Sequence, residues 1–145
     1  GQRLAPNICF EDLFGEELAT RFRDPALAPT VMVNMSNLAW FGNTVALDQH
    51  LSISRLRTLE LARPMIRATN TGTTAIIDHR GRVTHRLPPE TRGVLVGEVN
   101  GRTAPPTFFA WWAARWGLAP LWLVCGTVMA WAVWATRRNR AKAGD

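Results

Sequence analysis

Apolar and polar positions change period repeatedly along the 145 residues, and each change predicts an element. Leu4-Ala5-Pro6-Asn7-Ile8-Cys9 reads as a short strand, although Pro6 lacks the N–H that a central strand must donate. Glu11 and Asp12 lead into a helix over Glu16–Phe22. Glu16 and Glu17 occupy its first turn and Arg21 and Arg23 its end, matching the helix dipole, and Glu17 and Arg21 form a favourable i,i+4 pair. Asp24-Pro25 stops it. The β-branched run Thr30-Val31-Met32-Val33-Asn34 predicts a buried strand, followed by the loop Ser36-Asn37-Leu38-Ala39-Trp40-Phe41-Gly42 with two exposed aromatics.

A helix is expected from Thr44 to Ala62, capped by Asn43 or Thr44 and stopped by Pro64. Its apolar residues Leu47, Leu51, Ile53, Leu56, Leu59 and Leu61 spread round most of the wheel. That predicts cover on several sides, with Arg55, Arg57 and Glu60 paired within those contacts. Met65–Thr69, Thr73–Asp78, Arg82–Leu87 and Gly93–Val99 are four further strand candidates. The turns Asn70-Thr71-Gly72 and His79-Arg80-Gly81 place glycine where a positive φ is needed. Asn100–Thr107, rich in Gly and Pro, reads as a linker. Strand, helix, strand, helix and then successive strands predict a mixed α/β layer fold.

Trp116 to Thr136 is different in kind: 21 residues without a charge, about the length that crosses a bilayer core of roughly 30 Å as a helix. Trp111, Trp112 and Trp116 at one end and Trp131 and Trp134 at the other match the headgroup preference of indole rings. Pro120 falls in the first turn, where a missing N–H costs least.

The 17 basic against 11 acidic residues, a net charge of +6, first suggest a nucleic-acid partner. Their distribution removes that suggestion. Residues 1–115 carry 13 basic and 10 acidic groups, whereas the nine-residue tail carries Arg137, Arg138, Arg140 and Lys142 against Asp145. Such a cluster directly after an apolar span predicts a cytoplasmic C-terminus, with residues 1–110 on the other side. No zinc spacing, helix-turn-helix signature or aromatic-interleaved basic motif is present, so no nucleic-acid partner is expected.

Chemistry concentrates at Cys9, where a strand turns into a helix. A thiol on such a turn is exposed, and backbone N–H groups beyond it can hold a developing oxyanion; on the sequence pattern alone, a plain buried cysteine is the alternative. The orientation above puts Cys9 in an oxidising compartment, with Cys125 inside the membrane and out of reach as a partner. A cysteine nucleophile needs a base; His50, His79 and His85 are candidates, of which His79 and His85 read as surface residues. Glu11 reads as a carboxylate at a helix start. No HxxxH, CxxC or carboxylate cluster suggests a metal, and no cofactor is expected.

Ile8-Cys9-Phe10-Glu11 with Phe14-Gly15-Glu16 resembles the nucleophile segment of the nitrilase, or carbon–nitrogen hydrolase, superfamily. Arg55-Leu56-Arg57-Thr58-Leu59-Glu60, Arg63-Pro64, Arg67–Gly72 and Ile76–Gly81 are similar to its second characteristic block. The Ser36–Gly42 loop and the C-terminal span are similar, more narrowly, to the apolipoprotein N-acyltransferases. The resemblance implies the C-terminal part of an αββα sandwich over residues 1–103, facing the periplasm of a Gram-negative bacterium. A linker and interfacial segment (104–115), one inner-membrane helix (116–136) and a basic cytoplasmic tail (137–145) complete the expected organisation. It further implies acyl transfer from a phospholipid to the N-terminal cysteine of an apolipoprotein. Cys9 would be the thioester-forming nucleophile, Phe10, where tyrosine is common, a backbone oxyanion donor, and Glu11 a supporting carboxylate. The Glu general base and Lys of the family's triad have no counterpart here, since the one lysine is Lys142. The chain is therefore expected to be a C-terminal fragment, inactive alone. A membrane-tethered nitrilase-type amidase and a non-catalytic anchored module are the alternatives.

Overall fold

Burial alternates along the first strands and thereby sets the layers. In the computed structural model, which describes residues 1–143 and the side chains of residues 1–140, Ala5 and Asn7 of strand β1 (Leu4–Ile8) are buried while Leu4, Pro6 and Ile8 are exposed. Strands β2 (Val31–Ser36), β3 (Met65–Thr69), β4 (Ala75–Ile77) and β5 (Val83–Arg86) complete a five-stranded sheet in the order β1-β2-β3-β4-β5. The first three strands are parallel and the last two antiparallel to their neighbours. The order of elements is the mixed α/β pattern that the sequence predicts.

Among the described residues β1 pairs with β2, and Pro6 lies outside that ladder of hydrogen bonds. The Pro6 carbonyl accepts a bond from Arg21 Nη1 at 2.7 Å, on the side of the strand where its N–H would also have pointed. The missing donor therefore costs no bond of the β1–β2 ladder.

Helix α1 (Gly15–Ala19), the 3₁₀ turn Thr20–Phe22, helix α2 (Ala46–Leu61) and helix α3 (Phe108–Trp116) supply the cover. Leu18, Ala19, Phe22, Leu61, Ala110 and Ala113 pack with Ala5, Met32, Met65, Ala75 and Ile77 in one core. On the opposite face Leu4, Ile8, Met35 and Ile66 stay solvent-accessible, with Ile8 directly opposite Met35.

Several expectations change in detail. The helix expected over Glu16–Phe22 divides into α1 and the 3₁₀ turn. The second helix begins at Ala46, and neither Asn43 nor Thr44 caps it through a side chain. Its buried stripe is Leu47, His50, Ser54, Arg57, Thr58 and Leu61, whereas Leu56 and Leu59 are 45% and 51% exposed. The helix is thus covered on one side by a largely polar face. Arg55 donates to the Gly81 carbonyl at 2.8 Å, and Arg57 pairs with Glu60 at 3.0 Å. Gly81 has the expected positive φ of +73°, but Gly72 does not; a Cβ there would lie 2.6 Å from Leu38, so that glycine serves a close approach. Gly93–Val99 forms no strand, and Val94 and Val96 face solvent.

The chain divides into the compact units Gly1–Arg115 and Trp116–Asp145. Within the stretch expected to be linker, residues from Phe108 onward are helical, and Ala110, Ala113 and Ala114 are buried in the first unit. Gly117, with φ +55°, follows the last residue of α3. The apolar helix α4 (Ala119–Ala143) begins three residues later than the sequence suggests, with Pro120 in its first turn. Ala119–Arg140 is long and apolar enough to cross a membrane.

Candidate active site

The carboxyl ends of β1, β2 and β3 carry the site, the position at which parallel sheets commonly present chemistry. At the end of β1 the chain turns into a 3₁₀ helix, Cys9–Leu13, and Cys9 itself has φ +51°. A left-handed backbone at a non-glycine residue persists only where its surroundings over-determine it. Three bonds do so. The Ile8 N–H donates to Glu11 Oε2 at 2.7 Å, Asn34 Nδ2 donates to the Cys9 carbonyl at 3.3 Å, and the Cys9 thiol lies 4.0 Å from the Asn37 carbonyl oxygen. Asn34 is itself fixed: its Nδ2 also donates to Asn7 Oδ1 at 2.6 Å and its Oδ1 accepts from Ser36 Oγ.

Phe10 points into an aromatic group. Its ring centroid lies 5.3 Å from Trp40, 6.0 Å from Phe41 and 6.3 Å from His50, with edge contacts to the first two. Trp40 Nε1 donates to the Asn37 carbonyl at 2.9 Å, and Trp40 is 66% exposed. Asn70 Nδ2 donates to Asn37 Oδ1 at 2.7 Å while Asn70 Oδ1 accepts from the Leu38 N–H at 2.9 Å. The loops after β2 and β3 are thereby locked together beside the thiol.

Beneath Phe10 lies a polar cluster that the sequence reading does not contain. Asp12, Ser54 and Arg67 are fully buried and His50 nearly so. Ser54 Oγ donates to Asp12 Oδ2 at 2.6 Å and accepts from Arg67 Nη1 at 2.5 Å. Arg67 Nη1 lies 2.6 Å from His50 Nδ1 and 3.7 Å from Asp12 Oδ2. A guanidinium only donates, so His50 Nδ1 is the acceptor and Nε2 carries the ring proton, 3.5 Å from Asp12 Oδ1. Burial lowers the pKa of His50 and raises that of Asp12; the charge of each opposes the other's shift. Burial also lowers Arg67 to about 10, against the pull of Asp12 and Cys9.

The structure thus brings Cys9, Phe10 and Glu11 into one turn and places Glu11 across it as an acceptor. His50 is bound within the buried cluster. His79 and His85 lie at the β4–β5 turn and on β5, with His85 exposed. Among the described residues no group of His, Cys, Asp and Glu is arranged to hold a metal ion.

A family model described as carbon–nitrogen hydrolase matches residues 1–105. An apolipoprotein N-acyltransferase of Verminephrobacter eiseniae is 64% identical over 148 residues, covering 98% of this chain and 28% of the relative. Proteins of the same name from Ralstonia nicotianae and Bordetella bronchiseptica are 50% and 51% identical, over 99% and 97% of this chain and 26% and 25% of their own lengths. The chain therefore spans about a quarter of the curated relatives it matches.

Proposed function

The chain belongs to the carbon–nitrogen hydrolase family, and from that premise we propose that it carries the nucleophile of an apolipoprotein N-acyltransferase. The observation that carries this is Cys9, held at φ +51° at the mouth of three parallel strands, in a chain 64% identical to a protein of that name.

In this mechanism the Cys9 thiolate attacks the ester carbonyl of a phospholipid. The C–O bond to the glycerol oxygen breaks, the lysophospholipid leaves with a proton, and the acyl group remains on Cys9 as a thioester. The Phe10 N–H faces the developing oxyanion. The neutral α-amino group of an apolipoprotein's N-terminal cysteine then attacks, the C–S bond breaks, and the amine's proton returns the thiol. Glu11 holds the turn through Ile8. The general base and the lysine that the resemblance implies come from sequence outside these 145 residues, which alone should not turn over. Helix α4 crosses the inner membrane with its Arg137, Arg138, Arg140 and Lys142 end in the cytoplasm, and residues 1–103 face the periplasm.

The test is acylation of the full-length protein with phospholipid labelled in its acyl chain. A hydroxylamine-labile label on Cys9, lost in Cys9→Ser, supports the assignment; a labile label that persists in Cys9→Ser overturns it. Release of ammonia from a small amide without any acyl-lipid product would instead favour an amidase.

A further inference from the structure

A carboxylate and a guanidinium without solvent access are costly, and apolar residues of similar volume would often hold a core equally well. The Asp12–His50–Ser54–Arg67 cluster is built from three separate elements: the 3₁₀ turn after β1, helix α2 and strand β3. All three converge beneath the nucleophile. Asp12 lies three residues after Cys9 in the same turn, and the His50 ring packs on Phe10. Arg67 is further fixed by donating from Nε to the Thr73 carbonyl at 3.2 Å. The side chains of Asp12, Ser54 and Arg67 are fully buried and that of His50 nearly so, so the cluster acts through Cys9.

We propose that Asp12 and Arg67, joined through Ser54 and His50, are positioning residues for the acyl-transfer step: they lock the strained turn of Cys9 and aim a fixed positive charge at it from below. The inference rests on the acyl-transfer reading for its kinetic form, but its geometry does not. Asp12 anchors the turn from the inside, as Glu11 does from the outside and Asn34 from β2. Arg67 Nη1 is held by Ser54 Oγ and by His50 Nδ1 at 2.6 Å, and Ser54 in turn bonds Asp12 of the Cys9 turn, so the guanidinium charge is fixed behind the thiol that attacks. Arg57 is a further cation acting on Asp12, from the same helix as His50 and Ser54.

The test separates positioning from simple support of the fold. In the full-length protein with Cys125→Ala, Arg67→Met is compared with the charge-neutral pair Asp12→Asn/Arg67→Met and with the milder Ser54→Ala. Unfolding is followed alongside the single-turnover rate of thioester formation and the rate of Cys9 alkylation by iodoacetamide. Arg67→Met alone should be destabilised by its unpaired carboxylate, and the pair should regain most of that loss. The pair and Ser54→Ala should nevertheless form thioester about tenfold more slowly or worse, with KM little changed. Their Cys9 alkylation should be slowed in parallel. Wild-type rates in a stably folded pair or in Ser54→Ala would overturn the proposal. Absence of thioester in the parent protein would overturn the acyl-transfer reading instead, and the alkylation rates would still decide the role of the cluster.

Discussion

Glu11 Oε2 accepts the backbone N–H of Ile8 at 2.7 Å, closing from outside the turn on which Cys9 sits. That N–H lies on the side of β1 away from β2, where among the described residues Glu11 is its acceptor. Glu11→Ala is therefore expected to destabilise the folded state by about 1 kcal/mol, in the range of lost helix caps, and to slow Cys9 acylation. Glu11→Gln keeps an amide oxygen in the same place and should unfold within a few tenths of a kcal/mol of wild type. Chemical denaturation of the two variants checks the pair. If Glu11→Gln retains stability but loses acylation, the carboxylate charge itself takes part in the chemistry.

His50 gives a pH signature. Burial holds its folded-state pKa below the ordinary 6.5, so an unfolded chain takes up a proton at pH values where the folded chain leaves the ring neutral. The unfolded state then binds more protons, and stability is expected to fall as pH drops below about 6.5, at up to about 1.4 kcal/mol per pH unit. Asp12 works in the opposite sense: its raised pKa adds stability at acid pH that is lost as pH rises through the folded value. Thermal unfolding of wild type and His50→Gln across pH 5–8 isolates the histidine, because the substitution should flatten the slope. An unchanged slope would remove His50 as its source.

The same cluster explains what the sequence could show. The order of elements was legible because the β-branched runs and turn glycines sit where layers require them. The turn at Cys9 is a local pattern, a thiol between a strand and an acidic helix start, and the chain does turn there. The assembly of the buried cluster is not local: His50 stands out only as one candidate base among three, and Asp12, Ser54 and Arg67, up to 55 residues apart, each alone resemble a surface residue. A signal was present in the spacing of Leu47, His50, Ser54, Arg57, Thr58 and Leu61, a helical stripe that is more polar than apolar. The leucines alone predict cover on several sides, which fails because Leu56 and Leu59 lie outside the core. Gly93–Val99 misled for the converse reason: its β-branched residues match a strand, yet Val94 and Val96 are not covered.

Ala62 offers a stability test remote from the chemistry. It ends α2 at φ +50°, with its own N–H donating to the Leu59 carbonyl and the Arg63 N–H to the Thr58 carbonyl. Alanine in this region carries a Cβ penalty of about 1 kcal/mol that glycine avoids, partly offset by the greater freedom of glycine in the unfolded chain. Ala62→Gly is expected to raise stability by about 0.5 kcal/mol. Equilibrium denaturation with an unchanged m-value checks it, and a destabilised variant would show that the cap is not strained.

The topology proposal places a definite load on four residues. Ala119–Arg140 is long and apolar enough to span, yet an apolar helix has no intrinsic direction; orientation follows the side on which basic residues are retained. Arg137, Arg138, Arg140 and Lys142 follow the apolar stretch within six positions, while Arg115 is the only charged residue between Thr103 and that stretch. A reporter active only in the periplasm, fused after Asp145 in the full-length protein, should therefore stay inactive, and a cytoplasmic reporter at the same place should work. Replacing the four basic residues by glutamine removes the bias, and a measurable fraction of chains should expose the C-terminus on the periplasmic side. Periplasmic activity in the unmodified fusion would reverse the proposed orientation and would place Cys9 on the cytoplasmic face.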